Sequence, residues 1–273
     1  MVNKNIISKG RQKRAFNGTS LGPLEYALLA KLERDGVKFL SFKQALDAVP
    51  GTGRQVMRNT LSKLVSKGRL HRVRKGEYLL VPLKEEDYAT QELALVPRYY
   101  PEGYVSFLSA LKYHGLTTQL PVVIQVVVTT PQRKHVFQDT KYEPVRLASR
   151  YYLGYKVIPI AGEEIRIATK EKAILDCLLH PEYCGGIGEA CKAIKEAYRA
   201  LDWKVIAQLL RRMGNSAIER RLYFCLLFLR KKNPLPKKTF KGFRKLDPSL
   251  PNRGIYDTRF GLRINTDLDE ETN

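Results

Sequence analysis

Apolar residues at helical spacing predict three short helices near the beginning of the chain. The first run follows Gly22-Pro23, and proline suits the first position of a helix. Ser41 with Gln44, and Thr52 with Gln55, have the spacing of a capping box, in which two side chains satisfy free backbone groups at a helix start. The second and third helices are joined by the tight turn Pro50–Gly53. The apolar positions of the three helices are, in order, Leu24, Leu28 and Leu32; Phe42, Ala45, Leu46 and Val49; Met57, Leu61 and Leu64.

Short strand patterns surround and follow these helices. Val37–Leu40 can form a short strand, and residues 69–73 and 77–81 can pair around a turn at Lys75-Gly76. Two short helices joined by a tight turn, followed by a hairpin with a basic tip, predict a winged helix-turn-helix over residues 18–82.

The rest of the chain mixes strands with helices and ends in helices. Tyr104–Gly115 predicts a helix that ends at a glycine. The predicted strands are Val122–Thr130, Tyr142–Leu147, Tyr155–Ile160 and Ile165–Ala168, and the sequence AGEE after Ile160 predicts a hairpin turn. The predicted later helices are Lys170–Leu179, Gly188–Ala200, Trp203–Met213 and Ala217–Leu229. The fold class is therefore α+β, an N-terminal winged helix-turn-helix followed by a mixed α/β C-terminal domain with a helical end.

Composition changes divide the chain into four predicted segments. Residues 1–17 are basic and lack acids, and residues 83–103 begin with acids and are bounded by prolines. The predicted segments are a flexible basic arm at 1–17, a DNA-binding domain at 18–82, a connector at 83–103, and a domain at 104–273 with a basic, proline-containing C-terminal extension.

The charge of the chain favours an anionic partner. The formal net charge is +21 over 273 residues, and 44% of the residues are hydrophobic, enough for real cores. The N-terminus lacks the apolar core of a signal peptide, and the longest apolar run, Val122–Val128, is too short to span a bilayer. We therefore expect a cytoplasmic protein without a membrane partner.

The sequence favours a non-enzymatic protein without cofactor or metal. The cysteines Cys177, Cys184, Cys191 and Cys225 form no C-x-x-C pair, and reduced thiols are the simpler interpretation. Ser106, Ser109 and His114 do not share one helix face, and a local structural bond is expected for His114. The glycine-containing segments Pro50–Arg54 and Cys184–Ala190 lack the Lys-Ser/Thr of a phosphate loop. Thr169–Asp176 suits helix initiation.

The third helix and the hairpin carry basic residues without an intervening acid from Arg54 to Gly76. With Met57, Leu61 and Leu64 inside, the outer face carries side chains that suit base edges, since Arg pairs with guanine, and Gln or Asn with adenine. We predict that Arg54, Gln55, Arg58 and Asn59 read bases, and that Lys63, Arg72, Arg74 and Lys75 hold phosphates. The complete predicted DNA-binding set is Thr52, Arg54, Gln55, Arg58, Asn59, Ser62, Lys63, Arg72, Arg74 and Lys75.

Other functions remain open from the residues. A winged helix can be a protein-interaction module with a solvated basic face, and the second domain could belong to an RNA-binding or nuclease-associated protein. Arg230–Lys245, held extended by Pro234 and Pro236, is either a second anion-binding patch or a solvated tail.

Two long segments resemble the signature stretches of AbiEi-type antitoxins, a family of type IV toxin–antitoxin systems. They are YVSFLSALKYHGLTTQLP (Tyr104–Pro121) and IATKEKAILDCLLHPEYCGG (Ile167–Gly186). KGEYLLVP (Lys75–Pro82) and GIYDTRFGLRIN (Gly254–Asn265) fit the same family.

The resemblance implies two functions. It implies an N-terminal winged helix that binds inverted repeats in its own promoter and represses it. It also implies a C-terminal domain that counters a nucleotidyltransferase-type toxin, directly or indirectly. Arg54–Lys75 would then bind the operator, and the region after Tyr104 would carry the antitoxin activity. A dimer or two cooperating monomers could occupy an inverted repeat.

Overall fold

The computed structural model describes residues 20–81, 89–137, 140–160 and 162–268. The predicted basic arm, 1–17, lies outside the described residues. The chain divides into two compact units, Met1–Asp87 and Tyr88–Asn273. The fold is mixed α+β, so this part of the sequence prediction is confirmed.

Over residues 20–81, the first unit packs three helices against a small antiparallel sheet. Its sheet has the strand order β1-β3-β2. The core contains Leu28, Leu40, Met57, Leu61 and Leu70, which are fully buried. The elements are α1 (Pro23–Arg34), β1 (Phe39–Ser41), α2 (Phe42–Ala48), α3 (Arg54–Ser66), β2 (Leu70–Arg74) and β3 (Glu77–Leu80).

Capping explains where α2 begins and corrects the expectation for α3. The Gln44 amide donates to Ser41 Oγ at 3.2 Å, and the Ser41 amide donates to Gln44 Oε1 at 2.8 Å, so the first capping box is confirmed. The box predicted for Thr52 and Gln55 is wrong, because Gly53 is the N-cap and supplies no side chain. Instead, the side-chain amide of Gln55 contacts Arg58 and Asn59 farther along α3.

The hairpin β2–β3 turns at Lys75-Gly76, as the sequence predicts. Gly76 has φ of +78°, a left-handed conformation that glycine adopts at little cost. The pairing register shifts between Arg72 and Arg74, a bulge that bends the strand next to the turn. The hairpin tip is therefore offset from the regular ladder at its base.

The second unit is built on a six-stranded mixed sheet with the order β6-β7-β5-β4-β9-β8. A separate three-stranded sheet, order β10-β12-β11, follows the last helix. The strands are β4 (Tyr104–Val105), β5 (Val123–Val128), β6 (His135–Phe137), β7 (Thr140–Arg146), β8 (Tyr155–Ile160), β9 (Glu163–Ala168), β10 (Arg244–Lys245), β11 (Ile255–Asp257) and β12 (Leu262–Ile264). The helices are α4 (Ala89–Ala94), α5 (Val96–Tyr99), α6 (Phe107–Tyr113), α7 (Lys170–Leu179), α8 (Ile187–Ala197), α9 (Trp203–Met213) and α10 (Ser216–Phe228).

The predicted helix Tyr104–Gly115 begins too early. Tyr104 and Val105 form β4, in which they pair with Val127 and Val126 of β5, and Val105 also pairs with β9. The helix starts only at Phe107, after the chain turns through a positive φ at that residue. The backbone of Tyr104–Val105 therefore satisfies its hydrogen bonds in the sheet instead of in a helical turn.

The segment predicted as a connector, 83–103, contains structure of the second unit from residue 89 onward. It includes α4 and α5, and Tyr99 and Tyr100 are buried. The Tyr100 hydroxyl donates to the backbone carbonyls of Arg133, at 2.9 Å, and Tyr142, at 3.1 Å. Residues 82–88 lie outside the described part.

The segment after α10 is folded against the second unit and is not a solvated tail. Leu235 and Leu246 are buried, and the Tyr223 hydroxyl donates to Pro236 O at 2.7 Å. The buried Arg220 guanidinium donates to the carbonyls of Lys241, Gly242 and Gly261 at 2.6–2.8 Å. These bonds place β10–β12 against α10.

Candidate nucleic-acid interface

Helix α3 separates its side chains into two faces. Met57, Thr60, Leu61 and Leu64 are buried in the core of the first unit. The opposite face is polar and exposed, and it carries Arg54, Gln55, Val56, Arg58, Asn59, Ser62 and Lys63. The structure therefore brings together, on one solvent-facing surface, all of the α3 residues in the predicted DNA-binding set.

Three of the predicted base readers hydrogen-bond to one another. Gln55 Nε2 donates to Asn59 Oδ1 at 3.2 Å, and Arg58 Nη1 lies 3.4 Å from Gln55 Oε1. These contacts join neighbouring turns of α3, where residues three and four apart meet on one face. They orient two amides and a guanidinium side by side, and these are the groups that pair with adenine and guanine edges.

An aromatic ring from α2 lies beneath the two arginines. The guanidinium carbons of Arg54 and Arg58 lie 5.8 Å and 5.6 Å from the ring centre of Phe42. Both distances fall within the range of a cation–π interaction, which restrains the guanidinium and costs it little hydration. Phe42 thus couples the position of α2 to the arginines of α3.

The hairpin places three basic side chains at its exposed end. Arg72, Arg74 and Lys75 are all exposed. Arg74 Nη2 lies 2.6 Å from Glu77 Oε1, and this ion pair raises the pKa of Arg74. Part of the charge of Arg74 is therefore neutralised within the hairpin, so Arg72 and Lys75 are the stronger candidates for phosphate contacts.

Two residues of this surface differ from the expectation. Thr52 is half-buried in the turn before α3 and does not cap the helix. Its place in the predicted DNA-binding set stays a prediction. Val56 is 52% exposed between Gln55 and the buried Met57. An exposed valine on such a face can contact a thymine methyl. In the sequence, Val56 was recognisable as an apolar residue one position before Met57 and therefore outside the buried positions of α3.

Lys67 belongs to the basic run but serves the fold of the first unit. Lys67 Nζ donates to Ser20 O at 2.9 Å and pairs with Glu25 Oε2 at 2.6 Å. Glu25 in turn accepts the Gly22 amide at 2.8 Å. The end of α3 is therefore fastened to the first turn of α1, which orients the exposed face of α3.

The candidate serine–histidine arrangement of the second unit is not assembled. Ser109 Oγ donates to Gln125 Oε1 at 2.8 Å, and Ser106 Oγ donates to Asp176 Oδ2 at 2.7 Å. His114 Nε2 lies 2.7 Å from Ala168 O, so its bond is structural but joins distant parts of the chain instead of neighbouring residues. Burial lowers the pKa of His114. These three side chains have separate partners.

A fully buried polar cluster connects the two segments Tyr104–Pro121 and Ile167–Gly186. Lys172 pairs with Asp176 one turn along α7, and Lys172 Nζ also donates to Tyr104 Oη at 2.9 Å. Ser106 completes the cluster through its bond to Asp176. Burial and the neighbouring Asp176 raise the pKa of Tyr104 well above its ordinary value. All four side chains are inaccessible to solvent, so we interpret the cluster as structural.

The remaining sequence candidates occupy structural positions. Thr169 caps α7 by accepting the Lys172 amide, as helix initiation requires. All four cysteines are buried, and Cys191 Sγ lies 2.7 Å from Cys225 Sγ. Among the residues that the structure describes, no three His, Cys, Asp or Glu side chains cluster as metal ligands, and no helix is long and apolar enough to cross a membrane.

Comparison with known proteins identifies a shared fold. No protein-family model matches the chain, and no curated protein matches it in sequence. The crystal structure of the RV2827C protein from Mycobacterium tuberculosis is similar, with a TM-score of 0.62 and 13% sequence identity, over 89% of this chain and 92% of that one. At this identity the similarity concerns the fold alone.

Proposed function

We propose that this protein is a sequence-specific, double-stranded-DNA-binding transcriptional regulator whose first unit is a winged helix-turn-helix. In this proposal α2 and α3 form the helix-turn-helix, α3 enters the major groove, and the hairpin β2–β3 is the wing. The observation that supports it best is the exposed cluster of Arg58, Gln55 and Asn59, whose side chains are held together on the face opposite the core.

The face of α3 and the hairpin would contribute differently to binding. Arg54, Gln55, Arg58 and Asn59 carry the groups that discriminate base edges, whereas Lys63, Arg72 and Lys75 offer point charges to phosphates. The absence of acids from Arg54 to Gly76 supports a polyanionic partner, because a surface serving only solubility mixes both signs.

The antitoxin function rests on the resemblance of the second unit to AbiEi-type antitoxins. We propose that the protein is a non-enzymatic, cytoplasmic autorepressor that binds an inverted-repeat operator and counters a nucleotidyltransferase-type toxin. Within this unit the two resembling segments, Tyr104–Pro121 and Ile167–Gly186, meet at the buried Lys172–Asp176 pair.

Operator binding is tested by footprinting the full chain on the DNA upstream of its own gene. Arg58→Ala should cost about 1–3 kcal/mol on the protected sequence and relax the base preference there, while Lys75→Ala should weaken binding to all duplexes alike. Arg34→Ala, which removes an exposed cation at the end of α1, is the matched control and should bind as the wild type does. Equal losses on operator and random duplex for Arg58→Ala would overturn the base-reading role.

The antitoxin function is tested separately by co-expression with a nucleotidyltransferase encoded beside the gene. We expect the wild-type protein to restore growth, and Arg58→Ala to restore growth while losing repression of a promoter reporter. Growth arrest that persists with abundant wild-type protein would contradict the antitoxin function and leave operator binding intact.

A further inference from the structure

The small C-terminal sheet exposes two aromatic rings to solvent. Phe243 is 47% exposed immediately before β10, and Tyr256 of β11 is 55% exposed. Their ring centres lie 4.7 Å apart at an interplanar angle of 66°. Aromatic side chains of this size are usually buried, so an exposed pair of them marks a surface for interaction.

The strand registers place these rings on one face together with cationic side chains. Tyr256 lies opposite Arg263 of β12, and Arg263 lies opposite Lys245 of β10. Phe243 precedes Lys245 by two residues and so shares its face. The ammonium of Lys245 donates to Leu250 O at 2.7 Å, so this residue supports the face instead of contacting a ligand first. The Arg263 guanidinium carbon lies 4.8 Å from the centre of the Tyr256 ring. We call Phe243, Lys245, Tyr256 and Arg263 the aromatic–basic face.

The surroundings of this face are positively charged. Lys237, Lys241 and Arg253 are exposed in the same segment. Two nearby carboxylates are neutralised by pairing, since Asp257 lies 2.7 Å from Arg259, and Glu219 lies 2.6 Å from Lys238. The charge of the face therefore complements a polyanion.

The sheet beneath the face is rigidly supported. Leu262 and Leu246 are fully buried on its inner side. Arg220 of α10 binds the carbonyls of Gly242 and Gly261, which lie beside β10 and β12. The two rings are thus held on an ordered platform, and binding there would not require the platform to fold.

We propose that the aromatic–basic face binds single-stranded RNA, with unpaired bases stacking on Phe243 and Tyr256 and the surrounding cations contacting phosphates. Stacking on exposed aromatics combined with a positive surface is the usual chemistry for unpaired strands. A duplex hides the faces of its bases within its own stack. Exposed Asn252 and Thr258, on either side of β11, offer an amide and a hydroxyl to 2′-hydroxyl groups, which favours RNA over DNA.

The experiment uses the full chain carrying Arg58→Ala and Lys75→Ala, so that the proposed DNA surface of the first unit is weakened. Fluorescence anisotropy with a labelled oligouridylate of about twelve nucleotides measures affinity at moderate and high salt, because an OB-fold-sized site spans about 4–16 nucleotides. Adding Tyr256→Ala or Phe243→Ala should weaken binding by about tenfold or more, because each ring stacks a base. Tyr256→Phe should retain binding, since the stacking face remains.

The matched control is Tyr113→Ala, which removes another exposed tyrosine from α6. It should leave the affinity for RNA unchanged, and thermal unfolding should show that all variants fold. The proposal is overturned if Tyr256→Ala binds like Tyr113→Ala, or if oligothymidylate DNA or duplex RNA binds as tightly as oligouridylate. No salt-dependent RNA binding at all would also overturn it, and would favour a protein partner. Footprinting with the wild-type chain measures operator binding by the first unit separately, so a failure of RNA binding leaves the proposed DNA-binding function standing.

Discussion

Lys67 Nζ lies 2.6 Å from Glu25 Oε2, so the last turn of the proposed recognition helix is tied to the first turn of α1. Glu25 also accepts the Gly22 amide at 2.8 Å, which connects the ion pair to the start of α1. A carboxylate that is buried and bonded on two sides holds α3 at a fixed angle to the rest of the first unit. The orientation of the exposed face of α3 therefore depends on a residue outside that face.

This arrangement predicts a pH dependence of stability. Burial raises the pKa of Glu25, but the hydrogen bonds from Lys67 and Gly22 and the charges of Lys67 and Lys63 outweigh burial and lower it below its ordinary 4.5. The stabilisation is thus fully present above pH 4.5 and is lost as the pH falls through the folded-state pKa. The protection factors of α1 and α3 amides, which are corrected for the pH dependence of intrinsic exchange, should fall in that acidic window. Glu25→Gln should make these protection factors equal at neutral and acidic pH. An equal acid dependence in Glu25→Gln would assign it to other groups.

The capping contacts predict that two similar substitutions lower the stability of the first unit by different amounts. Ser41→Ala should destabilise the first unit by about 1 kcal/mol, because it leaves the Gln44 amide without its side-chain acceptor. Thr52→Ala should change stability by only a few tenths of a kcal/mol, as is usual away from caps and cores. Hydrogen exchange of α2 and α3 amides measures both effects. A larger cost for Thr52→Ala would mean that its hydroxyl supports the start of α3 after all.

The buried Lys172–Asp176 pair in α7 predicts that a single substitution lowers the free energy of unfolding much more than a double substitution does. Asp176→Ala should cost about 3–5 kcal/mol, because it leaves the Lys172 ammonium buried without its charge partner. The double variant Lys172→Met with Asp176→Leu should recover much of that loss, since it buries no charge. Denaturant unfolding followed by the fluorescence of Trp203, which lies in the same unit, measures both variants.

The control for this prediction is the exposed pair Lys31–Asp35, at 3.0 Å in α1. Asp35→Ala should cost about 0–1 kcal/mol, as exposed ion pairs do. Because Trp203 lies in the second unit, hydrogen exchange of α1 amides measures this control. A double variant as unstable as Asp176→Ala would indicate that the cluster stabilises the unit through its hydrogen bonds to Tyr104 and Ser106.

A glycine in the C-terminal sheet predicts a local effect on RNA binding. Gly254 has φ of +99°, and a Cβ there would overlap Ile264 O across the hairpin. Gly254→Ala should therefore displace β11 and weaken oligouridylate binding along with Tyr256→Ala. At Gly242, φ is +68° and the space for a Cβ is open, so Gly242→Ala should cost only about 1–2 kcal/mol of backbone strain. Anisotropy titration compares the two, and equal RNA affinities would contradict the proposed binding face.

The sequence predicted elements well where one pattern dominated. Helices Lys170–Leu179 and Trp203–Met213 and strand Tyr155–Ile160 match their predicted bounds. Helical spacing of apolar residues marked the helices, and the β-branched residues of YKVIPI marked the strand. Tyr104–Val105 was misassigned because its strand exists through pairing with β5 and β9, whose paired residues lie more than twenty residues away in the sequence. Strands β10–β12 were also missed. Each has only two or three residues, which is too short for an alternating pattern to show in the sequence.

The candidate site was predicted in composition but not in its contacts. Helical spacing placed Arg54, Gln55, Arg58 and Asn59 on one face, as the structure does. The ring of Phe42 beneath the arginines and the structural use of Lys67 depend on how α1, α2 and α3 pack, which spacing along one helix does not specify.

The Arg220 contacts also have a consequence for biosynthesis. Its acceptors all follow it in the chain, and the most distant, Gly261 O, comes 41 residues later. While translation proceeds, α10 can emerge from the ribosome with a guanidinium that still lacks the carbonyls it will bind. The second unit therefore finishes folding only after the ribosome has released that later segment, and a truncated nascent chain would present this helix to chaperones and proteases.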